Sequence, residues 1–212
     1  ASGKSTACKI LSEIDPQIPV VDADKLSFEA TQRGNLPYLL LKYLVLPADC
    51  FDSESGELLR ARLAALIFAP TFKAHHLKKI VERCIHPWVI FRMLLAILFY
   101  WLSAYPRVVL DIPLLFEVNL TWICSTTVLI DVESEDIQLS RLMKRNPQMT
   151  MTEAKNRISA QFSLARKRKL AKVIVTNSGN FNEFEKKIFQ TFNSNHLNPN
   201  PVFEIVFYLI FP

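Results

Sequence analysis

Ala1-Ser2-Gly3-Lys4-Ser5-Thr6 is the back half of the phosphate-binding pattern G-x-x-x-x-G-K-[ST], and the sequence opens on it. A Gly-Lys-Ser triplet alone is a weak signal and gains meaning only from the rest of the chain. From Thr6 to Ile14, Ala7, Ile10, Leu11 and Ile14 recur at helical spacing, so a helix is expected to begin on the loop. Ile18-Pro19-Val20-Val21-Asp22 is then a short apolar run ending in a carboxylate, the pattern of a buried parallel strand. Arg107 to Asp111 and Thr126 to Asp131 repeat it, and Lys172 to Thr176 adds a fourth run. Helical sequence separates them at about 134–144, 152–169 and 182–192. Strands alternating with helices predict an α/β fold with a parallel sheet covered on both faces. Ligands of such sheets bind beyond the carboxyl ends of the strands, where Asp22, Asp111 and the loop would converge.

The 212 residues suffice for one α/β domain with an insertion, and half of them are apolar, which excludes a disordered or collagen-like chain. The stretch 25–105 is too long for a single crossover and is expected to form a helical insertion, with Pro70 and Pro87 as helix breaks. Cys8, Cys50, Cys84 and Cys124 stand far apart without a C-x-x-C pair, which disfavours a zinc site or a disulfide frame. Trp88 to Tyr105 is strongly apolar, but its uninterrupted part, Met93 to Leu102, is too short to span a bilayer. It reads as a helix packed hard in a core or against a partner, and no transmembrane span is expected. The tail 193–212 stays unassigned; Pro201 to Pro212 fits a terminal strand, a sticky tail or a frame-altered end.

The net charge of +5 is unevenly spread. Between Arg141 and Lys172 there are ten Lys/Arg against one acid, Glu153. Such a patch suits a polyanionic ligand. Only Phe162 interleaves it with an aromatic ring, so no nucleic-acid partner is expected.

Several residue types fit phosphoryl transfer. Lys4 would hold the β- and γ-phosphates of a nucleotide, and Ser5 would place its hydroxyl on Mg²⁺. Asp22 and Asp24 follow a strand two apart; in extended backbone both point to one side, one to take a proton and the other to organise the metal shell. Asp24 also fits an N-cap for the next helix. Asp111 ends a strand where a metal-associated carboxylate is common in such enzymes. Arg141, Arg145 and Arg157 lie along a helix–turn–helix with Asn146-Pro147 as the turn, suited to a lid that neutralises transferring phosphate. Lys155 and Arg166 to Lys169 read mostly as surface charge. His86 precedes Pro87, which biases it to extended or turn backbone.

Taken in order, these segments resemble one family. They are Ala1 to Thr6, Val21-Asp22-Ala23-Asp24-Lys25, Gly56-Glu57-Leu58-Leu59-Arg60, Ile85-His86-Pro87, Asp111-Ile112-Pro113-Leu114-Leu115-Phe116-Glu117, Arg141 to Arg145, Arg157 to Gln161 and Val173 to Asn177. The ordered set, from Ala1 to about Phe192, is similar to dephospho-CoA kinases, especially those of eukaryotes. The resemblance implies a P-loop NTPase fold: a three-layer parallel sheet, a helical coenzyme-binding insertion (25–105) and a lid (141–170). It implies ATP and dephospho-CoA as substrates, Mg²⁺ as cofactor, and transfer of the γ-phosphate to the ribose 3′-hydroxyl. By it Ala1 to Thr6, Arg141 and Arg157 would bind ATP, and Asp24, Lys4 and Arg145 would be catalytic. Asp22, Arg60, His86 and Asp111 would serve the substrate side, with Ser5 and Asp22 at the metal.

The sequence departs from the family pattern at three points. The front glycines of the loop and the strand before it are absent, Val118 stands where a small residue is common, and the tail matches nothing in the pattern. With a central strand lost, a polypeptide beginning at Ala1 is expected to be unstable and nearly inactive. The alternatives are another small-molecule P-loop kinase with a nucleoside or nucleotide acceptor, or a non-catalytic nucleotide-binding module. The expected location is the cytosol, with mitochondrial association as a second option; oligomeric state is not legible.

Overall fold

The computed structural model describes residues 2–14, 18–177, 179–193 and 204–209. It divides into two compact units, residues 1–22 with 97–212, and residues 23–96.

Among the described residues, the first unit is built on five parallel strands. They are β1 (Val20–Asp22), β2 (Arg107–Asp111), β3 (Thr126–Asp131), β4 (Val173–Thr176) and β5 (Glu204–Leu209), in spatial order β1-β2-β5-β3-β4. β3 is buried along its whole length and β2 nearly so, which explains why these runs are continuously apolar rather than alternating. One face carries α1 (Lys4–Ile14) and α9 (Phe181–Asn193). Ala7, Ile10 and Leu11 from α1 and Phe184, Ile188 and Phe192 from α9 meet Val109, Val128, Ile130 and Val175 of the sheet in one core. Three helices lie between β3 and β4: α6 (Glu135–Arg145), α7 (Met151–Ser159) and α8 (Leu164–Leu170).

β5 adds a strand to the four expected runs, and it lies between β2 and β3. Arg107 to Asp111 pair with Glu204 to Tyr208 on one side, and Thr126 to Leu129 pair with Val206 to Leu209 on the other. Buried strand edges need partners for their N–H and C=O groups, and Ile-Val-Phe-Tyr-Leu is rich in strand-forming types. Of the three readings of the tail, a strand is the one realised for 204–209. The remainder of the tail, 194–203 and 210–212, lies outside the described residues.

The helix expected over 152–169 is two helices. Thr150 caps α7 through a capping box with Glu153, and Ser163 caps a new start at α8. Val118 causes no backbone strain: the left-handed position in the turn after β2 is Asn119, at φ 55°, and Val118 is exposed.

The second unit holds α2 (Ala23–Ala30), α3 (Leu36–Leu40) running into a π-helical turn (Leu41–Val45), α4 (Arg60–Ile67) and most of α5 (Phe72–Leu102). Tyr38, Leu41, Leu46, Cys50, Phe51, Leu63 and Val81 form its core. α5 bears on two expectations. It runs through Pro87 for 31 residues rather than breaking there, the lost N–H and the crowding of the ring against the preceding turn being outweighed by the hydrogen bonds of the neighbouring turns. Of the two readings of its second half, packing in a core is not the one seen: the stretch is largely exposed. Val89 and Met93 are buried, while Phe91, Leu94, Leu95, Leu98 and Leu102 form an open apolar stripe at helical spacing. By length and composition alone, α5 is apolar enough to cross a bilayer.

Candidate active site

The carboxyl edge of the sheet gathers the charged strand ends. Asp22 and Asp111 are register partners across β1 and β2, so two carboxylates stand side by side where the strands finish. Asp111 is 4 % exposed, and the Cys8 thiol of α1 donates to its Oδ2 at 3.8 Å. This contact brings α1 over the same edge.

The start of α1 is tied to that edge by Asn177. Its backbone N–H donates to the Asp131 carbonyl at 2.8 Å, and its side-chain amide donates to the Ser2 carbonyl at 2.6 Å. Asn177 therefore links the end of β3, the residue after β4 and the loop before α1. Gly3 sits at φ +105°, a conformation natural to glycine, and a Cβ there would collide with the Asn177 amide. The Gly3 carbonyl accepts from the Ala7 N–H at 2.9 Å, opening the helix, and a helix N-terminus of this kind favours a nearby anion. Lys4 and Ser5 begin this helix, but their side chains, like all of Ala1, lie outside the described part. Replacing Gly3 by Ala is expected to destabilise the fold by about 1–3 kcal/mol and to raise the KM for ATP about tenfold; thermal unfolding and steady-state kinetics read the two effects.

Asp24 departs from its expected geometry. The strand ends at Asp22 and α2 begins at Ala23, so the extended alternation stops before Asp24. Asp24 is not the N-cap; it lies exposed in the first turn of α2, a favourable place for a carboxylate. Arg60 belongs to the same unit. Its guanidinium donates to Thr31 Oγ1 at 2.8 Å and to the Phe28 carbonyl at 3.2 Å, and lies over the Phe28 ring. Burial lowers its pKa from the ordinary value. His86 is exposed on α5, in helical rather than extended or turn backbone.

The arginine-bearing segment is a helix pair as expected. α6 ends at Arg145, α7 starts at Met151, and the two pack together. Arg145 and Arg157 are exposed and Arg141 half-buried. Of Lys155 and Arg166 to Lys169, most are surface charges as expected: Lys155, Arg166 and Lys169 are exposed, whereas Lys167 and Arg168 turn to carboxylates. Lys167 is fully buried, with its ammonium 2.7 Å from Glu117 Oε1. Arg168 donates through Nε to Asp131 Oδ2 at 2.7 Å and through Nη2 to the Val132 carbonyl.

Burial lowers the Lys167 pKa to about 8 against an ordinary 10.5, outweighing the Glu117 contacts that raise it. The folded state thus releases this proton before the unfolded chain does. The group's contribution to stability is full above 10.5 and lost as pH falls through about 8. The unfolding free energy of the native protein minus that of Lys167→Met is expected to rise between these pH values, by up to about 1.4 kcal/mol per pH unit. Urea titrations across this range measure it.

Comparison with known proteins places this edge in context. The family model for dephospho-CoA kinase matches residues 1–183. The chain belongs to the dephospho-CoA kinase family. It is 37 % identical to a dephospho-CoA kinase of Oceanobacillus iheyensis over 187 residues, covering 86 % of this chain and 87 % of that protein. A dephospho-CoA kinase domain-containing protein of Danio rerio is 36 % identical over 192 residues, covering 90 % and 79 %. Among solved structures, TT1252 from Thermus thermophilus superposes with a TM-score of 0.72 at 29 % identity over 90 % of each chain. As a dephospho-CoA kinase family member, the chain is an ATP-dependent phosphotransferase with the P-loop NTPase fold. Sequence reasoning misses Asn177, Glu117 and Lys167 as individual residues. Asn177 and Glu117 close the family segments 173–177 and 111–117, whereas nothing in the lysine-rich run distinguishes Lys167 from its neighbours.

Proposed function

We propose that this chain transfers the γ-phosphate of ATP to the ribose 3′-hydroxyl of dephospho-CoA, giving coenzyme A and ADP. The observation that carries the reading is the register pairing of Asp22 with Asp111 at the edge where α1 begins. The ATP phosphates rest on the loop Ala1 to Thr6, with Lys4 against the β- and γ-phosphates. Arg141 and Arg157 bind the nucleotide from the lid, and Arg145 meets the charge that develops on the transferring phosphoryl group. Asp24 takes the proton of the 3′-hydroxyl as its oxygen bonds to phosphorus and the bond to the β-phosphate oxygen breaks. Arg60 and His86 serve the coenzyme side, and Asp111 is a further substrate-side residue.

Mg²⁺ fits the donor set. Asp22 and Asp111 offer hard oxygen at adjacent strand ends, and Mg²⁺ is commonly held by one or two carboxylates plus substrate phosphates. Asp22 and the Ser5 hydroxyl would hold the ion, which when bound neutralises phosphate charge. The free thiols Cys50, Cys84 and Cys124 suit a reducing compartment such as the cytosol, and mitochondrial association is compatible with them.

A coupled ADP-release assay across acceptors tests the proposal. Turnover with dephospho-CoA and not with uridine or nucleoside monophosphates is expected. Turnover with uridine alone would move the chain to another class of small-molecule kinase.

A further inference from the structure

α8 is riveted to the sheet through two adjacent cations. Lys167 meets Glu117, from the turn after β2, at 2.7 Å, and Arg168 meets Asp131, at the end of β3, also at 2.7 Å. Both carboxylates lie close to the carboxyl edge of the sheet, and neither Asp131 nor Lys167 is more than 4 % exposed. Glu117 makes a second contact. The same oxygen that receives Lys167 accepts the backbone N–H of Phe162 at 2.9 Å. Phe162 belongs to the joint between α7 and α8, outside both helices. Beside this joint, α6 and α7 flank an open cleft of about 430 Å³ with Leu139, Ile158, Gln161 and Phe162 in its wall. The sheet side of the joint is held by the Lys167–Glu117 contact, while Arg157, on α7, is exposed.

The geometry points to Glu117 as the positioning residue of the lid. Its carboxylate pins the α7–α8 joint through Phe162 and Lys167, and so sets where α7 can swing and where Arg157 and the packed α6 meet the nucleotide. This rests on the reading of α6 and α7 as the phosphate-covering lid. Glu117 touches neither substrate in this role; it acts through the backbone it holds. A neutral amide at position 117 can still accept the Phe162 N–H but no longer holds the ammonium by charge.

The test is kinetic, with stability followed in parallel. Glu117→Gln is expected to lower kcat about tenfold or more, the scale of a misplaced catalytic group, and to leave the KM for dephospho-CoA within about twofold. Lys167→Arg, which keeps the charge, should retain most of the kcat. The double variant Glu117→Leu/Lys167→Met replaces the ion pair by apolar side chains and should recover the melting temperature lost in Lys167→Met without recovering kcat. A double variant that regains kcat together with its melting temperature would show a purely structural pair and overturn the proposal. Arg145→Ala separates the lid reading from the role of Glu117. Unchanged kcat in Arg145→Ala overturns the lid reading itself, whereas a loss there with full activity in Glu117→Gln overturns the role of Glu117 alone.

Discussion

Lys4→Ala is expected to lower kcat with ATP and dephospho-CoA by at least about 100-fold while leaving the melting temperature nearly unchanged. The two halves of this expectation have separate causes. Position 4 opens α1, and alanine is the strongest helix former, so the helix start tolerates the change. The cradle of backbone N–H groups also survives, because it depends on Gly3 at φ +105° and on the Asn177 amide holding the Ser2 carbonyl. What disappears is the one flexible cation assigned to the β- and γ-phosphates, whose charge changes most during transfer. Nucleotide binding should therefore weaken less than turnover. Asp24→Asn should match the loss in kcat for a different reason, since the amide cannot accept the hydroxyl proton. Its exposed place in the first turn of α2 predicts little change in stability. ADP-release kinetics together with circular-dichroism melts would check both variants. A fall of less than tenfold in either would remove that residue from the proposed chemistry.

The second large effect concerns the sheet. Val206→Pro is expected to abolish the cooperative thermal transition. Val206 pairs with Val109 on one side and with Thr126 on the other, so it stands in both ladders made by β5. Proline has no N–H to give and its ring crowds the adjoining strand, which is why it is essentially confined to sheet edges and bulges. An edge strand could shed a residue at modest cost. Here the pairs β1-β2 and β3-β4 are joined only through β5 among the described strands, so the damage reaches the core of α1, α9 and the sheet. Loss of the near-ultraviolet circular-dichroism signal and of cooperative melting would be the readout. A variant melting within a few degrees of the native protein would show that β5 is dispensable.

The legible and illegible parts of this molecule differ for physical reasons. The strands β1, β2 and β3 announce themselves because burial on both faces demands continuous apolar runs, and each run ends on an Asp. The helix pair carrying Arg141, Arg145 and Arg157 is equally plain, since helix periodicity and the Asn146-Pro147 break mark it. The geometry of Asp24 escapes a sequence reading because the change from strand to helix falls between Asp22 and Asp24, within one residue, where periodicity has no resolving power. Lys167 looks like its neighbours in sequence, and its partner Glu117 lies in a distant segment of the chain. Only the fold brings the two together. β5 is obscure in the sequence because a short apolar run serves many ends, and its pairing partners declare themselves only in three dimensions.

The position of β5 also fixes an order of events. Its partners lie about 80 to 100 residues earlier in the chain, and β2 and β3 do not pair with one another directly. β2 and β3 are therefore made before the segment that pairs with both of them. Contacts of such sequence separation close late and slow folding. Strand edges that wait for a distant partner invite pairing with other chains. Refolding of this protein should accordingly be slow and sensitive to concentration, with recovery of native signal improving as the protein is diluted.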